Sequence, residues 1–71
     1  MKELTRRQAE VYKYIWSRIE IHHIPPTRRE IQAYMGFKSV YAVTVHLKAL
    51  IRKEWIWMVP NQSRNIRLRE E

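Results

Sequence analysis

The sequence predicts an α+β fold in which a three-helix bundle is followed by a C-terminal β-hairpin. Two capping boxes mark helix starts, one pairing Thr5 with Gln8 and the other pairing Thr27 with Glu30. The chain has a single glycine, Gly36, and it interrupts a segment of otherwise helical composition. Two short runs of β-forming residues, WIWMV and NIRLR, follow the last helical segment.

The first helix is expected to begin at Thr5 and to end before Pro25, because a residue that precedes proline is disfavoured in helical geometry. Apolar side chains at helical spacing define its predicted buried face. They are Val11, Tyr12, Ile15 and Ile19. The second helix follows the two prolines and is expected to place Ile31 and Met35 in the core.

Gly36 is predicted to form a sharp turn between the second and third helices, since glycine adopts left-handed backbone conformations without steric cost. The third helix, residues 39–53, is expected to begin at Ser39, a favourable N-cap residue. Its predicted apolar face consists of Val43, Leu47, Leu50 and Ile51. Its opposite face consists of Tyr41, Thr44, Lys48 and Arg52. This helix should therefore pack on one side and expose polar and basic groups on the other.

The last part of the chain is predicted to form a hairpin. Ile66 and Leu68 alternate with arginines, which is the period-two pattern of a half-buried strand. Ile56 and Met58 can face the same core, with Trp57 on the opposite side. Three helices, a glycine turn and a hairpin indicate one winged helix-turn-helix domain over residues 1–71, with the hairpin as the wing. In such motifs the helix after the turn enters the major groove of DNA.

Charge is the most informative property of the composition. Fourteen Lys and Arg residues against seven Asp and Glu give a net charge of +7, and the sequence pI is near 10.3. A pI above about 9 is typical of a nucleic-acid-binding domain. A net charge of about 2–8 is also normal for a small soluble domain. The placement of the basic residues must therefore distinguish the two interpretations.

Several classes of function have no supporting pattern. The absence of cysteine excludes a disulfide framework and a thiolate zinc site. His22 and His23 are adjacent with no acid placed to complete a metal site, and no nucleophile–base pair is spaced for catalysis. We therefore predict no enzyme, no cofactor and no small-molecule substrate. The chain also lacks a signal-peptide run and a stretch of about 20 apolar residues, so no membrane partner is predicted.

The chain contains a series of motifs whose order and spacing match a known family without gaps: LTRRQ, PPTRREI, GFKS, HLKAL and SRNIRL. With them, essentially the whole chain resembles the N-terminal DNA-binding domain of the LexA repressor family, regulators of the bacterial DNA-damage (SOS) response. The resemblance implies a transcriptional repressor domain that binds palindromic operators in double-stranded DNA as a dimer, in the bacterial cytoplasm and at the nucleoid. Full-length family members also carry a C-terminal self-cleaving peptidase domain. The chain is therefore expected to be a monomer in isolation that dimerises only on DNA or through a missing C-terminal domain.

The resemblance also places the base-reading residues, all near the start of the third helix. They are Ser39, Tyr41, Ala42, Thr44 and Val45. The family usually has Asn at position 41 and Glu at positions 44 and 45, residues that recognise adenine and cytosine by hydrogen bonds. Tyr41 and Val45 cannot make those bonds, whereas Thr44 can bond to either kind of base edge and Val45 can touch a thymine methyl group. An altered or relaxed sequence preference with retained phosphate binding is predicted.

Basic and polar residues on the third helix and on either side of it are the candidates for phosphate contacts, although each alone could be an ordinary solvated side chain. They are Arg7, Arg28, Arg29, Lys38, Lys48, Arg52, Lys53, Ser63 and Arg64. The resemblance further indicates glycine at four positions that differ in this chain. Those positions hold His23, Glu54, Asn61 and Asn65. Asparagine is the non-glycine residue that best tolerates left-handed geometry.

Two other interpretations remain open from the sequence. Three tryptophans and a single glycine would suit a sequence redesigned on the LexA fold, in which DNA binding is weakened or lost. An exposed Trp57 would suit a winged-helix module for protein contacts.

Overall fold

The computed structural model describes residues 2–69 and has the predicted α+β winged helix-turn-helix arrangement. Three helices precede a two-stranded antiparallel sheet. The elements are α1 (Arg6–His22), α2 (Arg28–Met35), α3 (Val40–Arg52), β1 (Ile56–Met58) and β2 (Ile66–Leu68).

Each helix begins at the predicted cap. The Thr5 hydroxyl accepts a hydrogen bond from the Gln8 amide at 3.2 Å, and the Gln8 side chain accepts one from the Thr5 amide at 3.0 Å. Thr27 and Glu30 form the same reciprocal pair at the start of α2. The Ser39 hydroxyl caps α3. These bonds satisfy amide groups that have no partner within the helix, so local sequence alone sets where the helices start.

The core is one cluster of aliphatic side chains contributed by all five elements. Its fully buried members are Val11, Ile15, Ile31, Val43, Leu47, Leu50, Ile56 and Ile66. The prediction is confirmed for these residues, whereas Ile51 is 39% exposed. Five other predicted core residues are partly buried and pack against the cluster: Tyr12, Ile19, Met35, Met58 and Leu68. Ile51 lies about 100° around the helix from Leu50, beyond the edge of the stripe that packs, whereas the small side chain of Ala49 is buried.

Gly36 ends α2 in the left-handed conformation, with φ 72° and ψ 27°, as predicted. A Cβ atom added there would meet nothing within 4 Å, so the backbone angle and not crowding favours glycine. Among residues 2–69, three others adopt positive φ without being glycine: His23 (60°), Glu54 (71°) and Asn61 (66°). All three occupy positions where the resemblance indicates glycine. Left-handed geometry costs an ordinary residue roughly 1–2 kcal/mol, so this chain carries backbone strain at His23 and Glu54.

The wing is a hairpin whose strands pair in the register Ile56↔Leu68, Trp57↔Arg67 and Met58↔Ile66. Ile56 and Ile66 are buried while Trp57 is 45% exposed, which confirms the period-two prediction. Trp55 covers one edge of the core, where its ring meets the Tyr12 ring edge-on at 4.9 Å between centroids. The hairpin is therefore an integral part of the core, and its loop projects from a fixed base.

Candidate nucleic-acid interface

The solvent-facing side of α3 is the principal candidate surface. Tyr41, Val45, Lys48 and Arg52 recur there at i, i+4, i+7 and i+11 and are exposed. The exposed fractions of Tyr41 and Val45 are 75% and 46%. The opposite side of α3 is fixed in the core. The helix therefore presents an apolar patch near its start and two cations near its end.

The remaining predicted base-reading residues are less available. The Thr44 hydroxyl donates to the Val40 carbonyl oxygen at 3.3 Å, so its donor serves the helix itself. The Ser39 oxygen accepts from the Ala42 amide at 3.4 Å. Ala42 and Thr44 are half-buried, whereas Ser39 is exposed. The structure thus brings all five residues to one end of α3, where the exposed polar groups among them are the Ser39 and Tyr41 hydroxyls and none is an amide, a guanidinium or a carboxylate.

Four of the predicted phosphate contacts are exposed cations around α3. They are Arg29, Lys38, Lys48 and Arg52. Within residues 2–69, none of them forms a salt bridge. Arg28 is half-buried and Ser63 is exposed in the wing loop. Cations without a carboxylate partner are the ones that can approach a phosphate without first breaking an internal contact.

Arg7 and Lys53 are engaged within the chain. The Lys53 ammonium donates to Gln8 Oε1 at 2.7 Å and ties the end of α3 to the start of α1. The Arg7 guanidinium donates to Glu10 at 2.8 Å and to the Met35 carbonyl oxygen at 3.1 Å. Lys53 therefore holds α3 against α1, and Arg7 holds α1 against the end of α2.

Arg64 anchors the wing to the start of α2. Its guanidinium donates to both oxygens of Glu30, at 2.9 and 3.0 Å, and to the Pro25 carbonyl oxygen at 2.9 Å. The hydrogen bonds from Arg64 lower the pKa of Glu30 to about 2, with help from the Thr27 amide. Sequence reasoning assigned Arg64 to phosphate alone and missed Glu30 as its partner. The signal was the capping-box carboxylate, since a single backbone amide does not use all of its acceptor capacity.

The described residues contain neither a membrane-spanning helix nor a metal-binding cluster. Across residues 2–69, no helix is long and apolar enough to cross a membrane. The same residues contain no group of three or more side chains that could hold a metal ion.

A helix anchored by one face, exposed on the other and flanked by a hairpin defines a protein of the winged helix-turn-helix class. Residues 1–65 match the sequence profile of the LexA DNA binding domain. The chain therefore belongs to the LexA DNA-binding domain family, which confirms the resemblance seen in its motifs.

Curated relatives are similar over nearly the whole chain. The LexA repressor of Vibrio vulnificus (strain YJ016) is 52% identical over 68 residues, which cover 96% of this chain and 33% of that protein. A LexA repressor of Vibrio cholerae (strain M66-2) is 53% identical, with 96% and 32% covered. The LexA repressor of Pseudomonas aeruginosa (strain LESB58) is 52% identical, with 96% and 33% covered. The chain spans about a third of the length of the curated relatives it matches.

Proposed function

We propose that this chain is a sequence-specific double-stranded DNA-binding domain of a transcriptional repressor, with α3 in the major groove and the wing beside the phosphate backbone. The observation that carries the proposal is the two-sided α3, whose buried stripe fixes the helix while Tyr41, Val45, Lys48 and Arg52 face solvent. A helix held in this way is the element that winged helix-turn-helix proteins insert into DNA.

The cations around α3 supply the sequence-independent part of the affinity in this proposal. Arg28, Arg29, Lys38, Lys48 and Arg52 approach phosphates on either side of the groove, and Ser63 contacts the backbone from the wing. Arg7, Lys53 and Arg64 act mainly by holding α1, α3 and the wing in place, since their donors already bond within the chain. The base-reading group is Ser39, Tyr41, Ala42, Thr44 and Val45.

The proposed assembly is a monomer in isolation that dimerises on a palindromic operator in the bacterial cytoplasm. Two copies would occupy half-sites about 34–36 Å apart, one helical turn of DNA. The family match and the 52% identity to curated repressors favour this function over a redesigned domain without a partner. They also favour it over a protein-contact module centred on the exposed Trp57.

Titration of labelled duplexes tests the proposal. LexA-operator-like and scrambled duplexes are compared by fluorescence anisotropy at two salt concentrations. We expect a measurable preference for particular sequences and weaker binding at the higher salt. Lys48→Ala should weaken binding to every duplex and reduce the salt slope by about 1. Lys13→Ala is the matched control, because Lys13 is exposed on the side of α1 that faces Tyr34 and not α3. Absence of binding at low salt would refute the proposal.

A further inference from the structure

We propose that the start of α3 recognises the 5-methyl groups of thymine, so that the preferred half-site carries thymine at the contacted positions. The inference rests on the proposed function and specifies its ligand. It assigns discrimination to an apolar patch formed by Tyr41 and Val45, and not to hydrogen-bonded base pairs.

The first support is the exposure of apolar carbon at the point where α3 would enter the groove. Tyr41 and Val45 stand four residues apart, so their side chains are neighbours on the helix surface. Both are among the most exposed large apolar side chains of α3, whereas the core needs neither of them. An exposed apolar patch beside cations that form no salt bridge within residues 2–69 indicates a contact surface with an apolar component.

The second support is the absence of bidentate hydrogen-bonding side chains among the five base-reading residues at that end of the helix. Bases are distinguished in the major groove mainly by bidentate partners, such as Arg or Lys with guanine, Asn or Gln with adenine, and acids with cytosine. Positions 39, 41, 42, 44 and 45 hold no such side chain. The Thr44 donor is already bonded to the Val40 carbonyl oxygen. The thymine methyl group is the one major-groove feature that apolar side chains recognise directly.

The third support is the division of α3 along its length. Lys48 and Arg52 lie about one and two turns beyond Val45 and are exposed. They can bind phosphates of any sequence, which provides affinity without discrimination. The apolar patch can then provide discrimination without charge. The inferred mode is therefore electrostatic capture by the end of α3 and methyl recognition by its start.

The test begins with selection of bound duplexes from a randomised library. Each thymine of the enriched sequence is then replaced singly by deoxyuridine, which lacks only the 5-methyl group. We expect replacement of each contacted thymine to lower the affinity of the chain for the duplex about fourfold, the equivalent of one buried methyl or methylene group. Val45→Ala should abolish the difference between thymine and uracil at its own position. Since Val45 is exposed, this variant should keep the circular dichroism spectrum and unfolding midpoint of the original chain.

Lys48→Ala is the matched control, because it should weaken binding to the thymine and uracil duplexes by the same factor. An enriched sequence that binds equally well with uracil at every position would overturn the methyl inference and leave the proposed function standing. An equal loss on both duplexes in Val45→Ala would also overturn it. A library that shows no enrichment would overturn the sequence-specific function and this inference together.

Discussion

Glu30 joins more parts of the molecule than any other acidic residue in the described range. Its carboxylate accepts the Thr27 amide at 3.0 Å and the two-pronged Arg64 guanidinium, while Arg18 lies 3.6 Å away. One side chain therefore completes the cap of α2 and holds the wing. Charge-assisted hydrogen bonds need the ionised carboxylate. The protonation state of Glu30 therefore affects both α2 and the wing.

We predict that acid weakens the fold through Glu30. Its pKa is about 2 in the folded chain against an ordinary value of 4.5. Because the pKa of this group is lower in the folded chain, it contributes its full stabilisation at a pH above the pKa of the unfolded chain. That contribution is lost as the pH falls through the pKa of the folded chain. The free energy of unfolding, measured by urea denaturation, should therefore decrease from pH 4.5 towards pH 2. Glu30→Gln should flatten that decrease, whereas the exposed Glu10→Gln should not; identical curves for all three chains would contradict the prediction.

A second prediction concerns the left-handed residues. Glycine at position 54 should raise the free energy of unfolding by up to about 1 kcal/mol, since relief of roughly 1–2 kcal/mol of strain exceeds the entropy cost of glycine. Glu54 has φ 71°, and His23→Gly should act in the same direction at φ 60°. Urea denaturation midpoints measure the change.

Asn65→Gly is the control for the second prediction. It falls at another position where the resemblance indicates glycine, yet Asn65 is not among the positive-φ residues of the described chain. We expect that substitution to destabilise by about 0.5–1 kcal/mol, the usual cost of glycine in an ordinary conformation. An equal increase in the free energy of unfolding for Glu54→Gly and Asn65→Gly would show that relief of backbone strain is not the cause of the stabilisation.

At the scale of elements, the wing depends on a contact with α2 that lies outside the sheet. Arg64 stands just before β2 and bonds to the first turn of α2 and to the Pro25 carbonyl oxygen. The short strands, three residues each, provide few ladder bonds of their own. The orientation of the wing loop relative to α3 should therefore follow the Arg64–Glu30 pair.

We predict that Arg64→Lys loosens the wing, because a lysine ammonium cannot reproduce the bidentate fork. Amide hydrogen exchange at Val59, whose amide donates to the Asn65 carbonyl oxygen at 2.8 Å, should become faster while α1 amides keep their protection. Arg29→Lys, at an exposed arginine without an internal salt bridge in residues 2–69, is the control and should change neither. Unchanged exchange at Val59 in Arg64→Lys would refute the anchoring role.

At the scale of the whole molecule, the net charge is +7, and residues 31–53, which include α3, contain four Lys and Arg and no Asp or Glu. Four exposed cations lie on α3 or just before it in the chain, namely Arg29, Lys38, Lys48 and Arg52, and they form no salt bridge within residues 2–69. The five cations proposed to contact phosphates predict that the logarithm of the DNA association constant falls with the logarithm of salt concentration at a slope of roughly −4 to −5 per bound chain. Anisotropy titrations on a single half-site measure it. Replacing Arg29 and Lys38 together with Gln should reduce the slope by about 2, and a slope near zero would refute electrostatic capture.

Local sequence signals account for most of the fold and for the position of α3. The caps at Thr5, Thr27 and Ser39, the turn at Gly36 and the alternation in β2 all involve residues within a few positions of one another. Each of these features depends on the backbone of its own short segment. The spacing of residues in the sequence is therefore enough to predict its local geometry. The apolar stripe of α3 likewise follows from helical periodicity, up to its edge at Ile51.

Contacts between distant residues followed from packing and not from any local pattern. Arg64 and Glu30 are 34 positions apart, and Lys53 and Gln8 are 45 apart. Which cation meets which acceptor depends on the angles at which helices and hairpin pack, and periodicity does not encode those angles. For the same reason, charge and resemblance located the candidate interface, but only the packed chain separated the cations that face solvent from those that hold the wing and α3 in place.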